Sequence, residues 1–145
     1  MAKFLYKFRT VKKIKEILEK QAQKELAETQ AKIDLVFLEI EQVKELKAKS
    51  KADKEKSGKI KISDLQFMEN FTSSLDDTIK ALYQEVDNLN KVKEQKIQKL
   101  IERAKDSKVF QKLEEKYKEE FLIELNRLEQ KEMDEIALRK FSKGD

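Results

Sequence analysis

Cysteine, proline, histidine and tryptophan are absent from the 145-residue chain, and glycine occurs only at Gly58 and Gly144. Each absence excludes a class. Without cysteine or histidine there is no disulfide framework and no zinc site built from those ligands. Without histidine, Ser–His–Asp and Cys–His nucleophilic catalysis fall away, as does histidine-based acid–base chemistry. Two isolated glycines cannot make the loop that cradles a phosphate. No apolar run approaches the roughly 18 residues that span a bilayer. No signal peptide is legible at the basic start, so the expectation is a cytosolic protein.

What is present is charge. Charged residues make up 43% of the chain, 33 basic against 29 acidic, a formal +4. Ala, Glu, Lys, Leu and Arg supply 78 of the 145 residues, the composition of a coiled coil or long helix. Val, Ile, Leu and Phe total 41, enough to fold but too few for a thick core. A thin seam between helices fits both facts.

One stretch, 50–74, concentrates helix breakers and cap residues. Gly58 of Ser57-Gly58 suits the left-handed position that ends a helix. Ser63 with Gln66 fits a capping box, with Ile62 and Phe67 as its hydrophobic staple. Thr72-Ser73-Ser74 ahead of Asp76 and Asp77 is a second start signal. The expected organisation is a single elongated helical hairpin over 1–145. A first long helix covers about 4–56. A turn with a short helix (about 64–71) covers 57–73, and a second long helix covers about 74–141.

The seam follows the alternating three-four spacing of a left-handed coiled coil. Leu26, Thr29, Ile33, Val36, Ile40 and Val43 keep it in the first helix. Leu75, Ile79, Leu82, Val86 and Leu89 keep it in the second. The rhythm passes through a polar stretch at Lys93, Lys96, Leu100, Arg103 and Ser107. It recovers at Phe110, Tyr117, Phe121 and Leu128, and it slips around Leu18 and Ala22. Pairing within one chain must be antiparallel. A parallel pair needs a connection of roughly 75 Å, and fifteen residues reach only about 50 Å. That register puts Val43 near Leu82, Val36 near Leu89 and Phe4 near Phe121. Lys3, Lys7, Arg9, Lys12, Lys13 and Lys15, with no acid among residues 1–15, then fall beside Glu114, Glu115, Glu119, Glu120 and Glu124. About twenty residues after Phe121 overhang, leaving Leu122, Leu125, Leu128, Ile136 and Leu138 in want of a partner. The expected fold class is therefore all-α, an antiparallel two-stranded coiled-coil hairpin with a short helix near its turn.

Two end segments carry a resemblance. Phe4 and Tyr6-Lys7-Phe8-Arg9 open a charged helical run to Glu25-Leu26-Ala27-Glu28, and Leu128-Glu129-Gln130-Lys131-Glu132-Met133-Asp134-Glu135-Ile136-Ala137 lies near the end. This pattern resembles the flagellar export protein FliJ family across the chain. The resemblance implies a cytoplasmic, non-catalytic component of the flagellar type III export apparatus, without cofactor or metal, held peripherally at the inner face of the membrane. Family members form a stalk-like antiparallel coiled coil that engages the hexameric export ATPase FliI and promotes its hexamerisation. They also contact the cytosolic domain of the export gate protein FlhA and escort chaperones of late export substrates.

Two candidate surfaces follow. For the ATPase they are Phe4, Phe8, Arg9, Lys12 and Lys13 at the start, with Gln130, Lys131, Met133, Asp134, Glu135 and Arg139 near the end. For the export gate they are Gln42 and Leu46 with Phe71, Leu75, Thr78 and Leu82, at i, i+4, i+7, i+11 spacing in the second helix. Plainer readings stand beside them. Leu75 and Leu82 read as seam, Phe71 as short-helix packing, the basic start as a solvated face paired with Glu114–Glu124, and Leu128–Ala137 as a last heptad. The basic run 44–61, net +5, reads as a solubilising loop.

Two rival functions remain. A basic nucleic-acid-binding rod would match the positive net charge. Few of the bases are arginine, however, and acidic blocks at 64–87 and 114–135, each net −5, interrupt them. A generic coiled-coil adaptor or prefoldin-like holdase fits the pattern, although prefoldin needs paired strands that 59–62 is too short to supply. An enzyme is the remotest reading, because nothing desolvates a carboxylate pair to split its pKa values.

Overall fold

The computed structural model describes residues 2–56, 58 and 61–143. Two long helices pack against each other: α1, Arg9–Lys56, and α2, Ile62–Lys143. No strand occurs among the described residues. The chain divides into two units, residues 1–20 with 101–145 and residues 21–100. The slip expected around Ala22 is not found there: Ala22 is buried, 2% exposed, and with Leu26, Thr29 and Ile33 keeps the three-four spacing.

In the unit of residues 21–100 the expected seam is the observed one. Thr29, Ile33, Val36 and Ile40 are buried on α1, and Leu75 and Val86 on α2. Val36, Ile40 and Val86 form the core cluster, with Leu82 and Leu89 packed against it. The Thr29 hydroxyl, buried in that seam, donates to the Glu25 carbonyl at 2.9 Å and so leaves no unpaired donor. Lys47 pairs with Asp76 at 2.5 Å and Lys54 with Glu69 at 4.0 Å. Partner numbers fall as α1 numbers rise, which is antiparallel packing.

In the unit of residues 1–20 with 101–145, Phe4 meets Phe121 with ring centroids 5.6 Å apart, as the antiparallel register expects. Ser107 is the most deeply buried side chain here, 1% exposed, and its Oγ accepts from Gln111 Nε2 at 3.4 Å. A small hydroxyl that closes its own hydrogen bond allows close packing without an orphaned polar atom.

The expected short helix is not present as a separate element; α2 runs unbroken from Ile62. The hydroxyls read as caps are satisfied inside the helix. Thr72 donates to the Met68 carbonyl at 2.9 Å and Thr78 to the Ser74 carbonyl at 3.0 Å. A hydroxyl that bonds the carbonyl four residues back is compatible with helix interior. The helix start also lies earlier than Ser63. The Leu65 amide donates to the Lys61 carbonyl at 3.0 Å, making Lys61 the cap residue. Ile62 and Phe67 are exposed and form no staple. Gly58 has no positive φ, and a Cβ there would meet nothing within 4 Å. Its part in ending α1 is therefore low helix propensity and not a left-handed cap. Ser57, Lys59 and Ile60 of the expected turn lie outside the described residues.

The start of α1 also differs from expectation. The helix begins at Arg9, not Phe4; residues 2–6 are non-helical and Lys7-Phe8 form a turn. The Arg9 amide donates to the Tyr6 carbonyl at 3.2 Å, and the Lys12 amide to the Phe8 carbonyl at 2.8 Å. At the other end α2 continues to Lys143, two residues past the expected Phe141.

Candidate functional site

The terminal site is built on an aromatic cluster. Phe4, Tyr6 and Phe8 alternate with exposed Leu5 and Lys7, the period of two that extended backbone gives. Tyr6 is buried, its ring 6.1 Å from that of Tyr117, and its hydroxyl donates to the Phe110 carbonyl at 2.7 Å. Phe8 sits edge-on to Phe110 at 6.0 Å and stacks on Tyr117 at 6.3 Å. Burial, and then the nearby Glu114 carboxylate, raise the Tyr6 phenol above the ordinary tyrosine pKa.

Lys12 bonds Glu114 across the helices, and that hydrogen bond raises the Lys12 pKa above the usual lysine value. Lys15 reaches Asp106 at 3.8 Å. Glu124, expected beside the basic start, is taken instead by Arg127 three residues on, at 2.7 Å. That hydrogen bond lowers the Glu124 pKa. The fork geometry of arginine on the same helix face outcompetes a lysine on a separate segment.

Of the residues expected at the ATPase surface, Phe4, Phe8 and Lys12 are half-buried and engaged with partners in the protein. Arg9 and Lys13 are exposed. Near the end, Gln130, Lys131, Met133, Asp134, Glu135 and Arg139 are all exposed, and Gln130 donates to Asp134 at 3.3 Å. From Asn126 to Lys143 every residue is exposed, including Leu128, Ile136, Leu138 and Phe141. The expected overhang begins later than Phe121, because Ala2 lines a groove with Leu125, Leu128, Glu129 and Glu132.

At the second candidate surface, in the unit of residues 21–100, Leu75 is buried and Leu82 half-buried, both in the seam. Gln42, Leu46, Phe71 and Thr78 are exposed. Nearby, the Lys44 ammonium donates to the Tyr83 hydroxyl at 2.8 Å and lies 5.3 Å from the ring centroid, a cation–π contact.

Sequence reasoning missed a three-residue ionic cluster in the polar seam. Glu25 accepts from Lys99 at 3.2 Å and from Lys96 at 3.3 Å. Those two bonds, Lys99 first, hold the Glu25 carboxyl below the usual carboxylate range. The signal was present: two lysines three apart and a glutamate one position from the seam on the opposing helix.

The candidate residues lie on exposed or half-buried surfaces, apart from Leu75 in the seam. No helix among the described residues is long and apolar enough to cross a membrane. Two long helices packed against each other define an all-α protein. A family model described as the flagellar FliJ protein matches residues 4–145, and the chain belongs to that family. Membership makes it a non-catalytic component of the flagellar export apparatus. No curated protein and no solved structure matches the chain.

Proposed function

We propose that the chain assists the export ATPase FliI, binding it and promoting its hexamer. On this reading it also links the ATPase to the cytosolic domain of the export gate protein FlhA and escorts chaperones of late substrates. The ATPase role rests on one observation above all: the end of α2, with Met133, Ile136, Leu138 and Phe141, is helical and exposed. An isolated helical stretch in water is marginal, and large apolar side chains left in solvent on such a stretch offer contacts to a partner. The contribution on this reading is binding and positioning. On this reading the chain is held at the inner face of the membrane through the export apparatus.

The test mixes the full chain with purified export ATPase. Hexamer formation and ATP hydrolysis rise with the native chain. They fall back to the level of the ATPase alone when Met133 and Leu138 are changed to Glu, a charged residue that favours helix. Both positions are exposed, so helicity by circular dichroism stays unaltered. Stimulation that survives both substitutions would remove the end of α2 from the site. For the gate, Leu46→Ala with Phe71→Ala weakens binding to the FlhA cytosolic domain, and unaltered affinity would dismiss that surface.

A further inference from the structure

The first three turns of α1 carry a cationic face that α2 does not use. At 100° per residue, Arg9, Lys20, Lys13, Ile17, Thr10 and Ile14 fall, in that order, within an arc of about 140°, and all six are exposed. The arc holds no acid. The two acids of the stretch, Glu16 and Glu19, lie outside it and are half-buried, and Glu16 pairs with Lys12 at 3.8 Å. Lys12 and Lys15, on the other side of the helix, are the cations that reach α2, at Glu114 and Asp106. Arg9, Lys13 and Lys20 form no ion pair with a described residue. Two large apolar side chains stand among them, Ile14 at 51% and Ile17 at 62% exposed. The segment leading into the helix carries the same combination, with Leu5 83% exposed between exposed Lys3 and Lys7. Everything named here lies in the unit of residues 1–20 with 101–145.

We propose that the cationic stretch 3–20 docks on the surface of an anionic lipid bilayer, with Arg9, Lys13 and Lys20 at the headgroups and Ile14 and Ile17 entering the acyl boundary. Charge complementarity sets the sign of the partner, since residues 1–15 contain no acid at all, and such stretches are drawn to anionic leaflets. The apolar side chains set its kind. Two isoleucines one turn apart are too short a stretch for a helix–helix seam, which repeats over several turns. A nucleic-acid phosphate backbone offers an isoleucine nothing. A bilayer interface takes both features at once, because lysine and arginine stems lie along apolar surface with their charges in water while the apolar residues between them insert.

Flotation of the full chain with vesicles tests this. No ATPase is present, so the outcome is independent of the ATPase reading above. Binding is expected to vesicles of phosphatidylcholine with phosphatidylglycerol and not to phosphatidylcholine alone, and it weakens as salt rises. Lys13→Glu with Lys20→Glu lowers the affinity about tenfold or more. Ile14→Gln with Ile17→Gln lowers it about tenfold at unchanged charge, with helicity by circular dichroism retained. The absence of native tryptophan allows a check on placement. The emission of an Ile17→Trp chain shifts to the blue on the mixed vesicles, and that of a Val109→Trp chain, at a 55% exposed position of α2, does not. A chain that ignores the mixed vesicles overturns the proposal. So does binding indifferent to Ile14 and Ile17, or an equal shift at both tryptophans. Tighter binding to a DNA duplex, lost with Lys13 and Lys20 but not with Ile14 and Ile17, would assign the face to nucleic acid instead.

Discussion

The Tyr6 hydroxyl donates to the Phe110 carbonyl across 104 positions of sequence, at 2.7 Å. This bond and the rings around it explain why α1 starts at Arg9. Extending the helix back to Phe4 would rotate Phe4, Tyr6 and Phe8 onto different faces, since alternate residues share a face only in extended chain. Tyr6→Phe is expected to cost about 1 kcal/mol, the net value of one hydrogen bond. Tyr6→Ala is expected to cost about 3 kcal/mol through lost packing. Exposed Leu5→Ala should change stability by less than about 0.5 kcal/mol. Urea unfolding of the three variants checks the ordering; a Leu5 effect as large as that of Tyr6→Ala would mean the segment is helical.

Ile40, 2% exposed, sits at the centre of the cluster with Val36 and Val86. Ile40→Ala should destabilise by about 2–5 kcal/mol, the range for truncating a buried branched side chain. Because the seam is thin, relaxation of the helices toward each other would put the value at the low end. Thermal unfolding monitored at 222 nm reads the shift. No shift would show that the two helices do not depend on this contact.

The continuity of α2 can be tested with a single proline. Were Ser74 a helix start, proline at position 73 would precede the helix and be tolerated. In the unbroken helix Ser73 is interior, so Ser73→Pro removes a backbone bond and clashes with the preceding turn, at about 3 kcal/mol. Loss of helicity in circular dichroism, with earlier amide exchange around residues 66–74, is the expected result. A variant as stable as the parent would reinstate a separate short helix.

Glu25 gives a pH dependence. Its carboxyl is held below the ordinary carboxylate value by Lys99 and Lys96, so the unfolded chain binds a proton more readily than the folded one as pH drops. The contribution is therefore fully present above the unfolded carboxylate pKa and is lost as pH falls through the lower folded value. Carbon-detected NMR titration should place Glu25 below the ordinary glutamate range. Glu25→Gln should flatten the acid limb of the stability profile, and an unchanged acid limb would show that the lysines do not hold the carboxylate.

What was legible in the sequence was what a three-four rhythm can encode. Thr29, Ile33, Val36 and Ile40 are buried as that rhythm requires, and the reach of fifteen residues correctly brought Phe4 to Phe121. The misread features were those where one residue type serves two conformations. A threonine hydroxyl caps a helix or bonds back within it, and Thr72 does the second. Phe4, Tyr6 and Phe8 carried a period of two that was visible but was absorbed into the charged helix that follows. The Glu25 cluster was obscured because polar seam positions read as weakness until a specific opposing charge is placed against them. The candidate ATPase residues divided along the same line: aromatics that could pack on α2 did so, while Gln130, Lys131, Met133, Asp134, Glu135 and Arg139 stayed exposed.

The central claim is that the exposed end of α2 is where the export ATPase is met. A photo-crosslinking side chain placed at Leu138, and in a separate chain at Leu46, tests it directly with purified FliI under hydrolysing conditions. The expected result is a covalent adduct to the ATPase from position 138 and none from position 46. Adducts from 46 alone, or from neither, would contradict it.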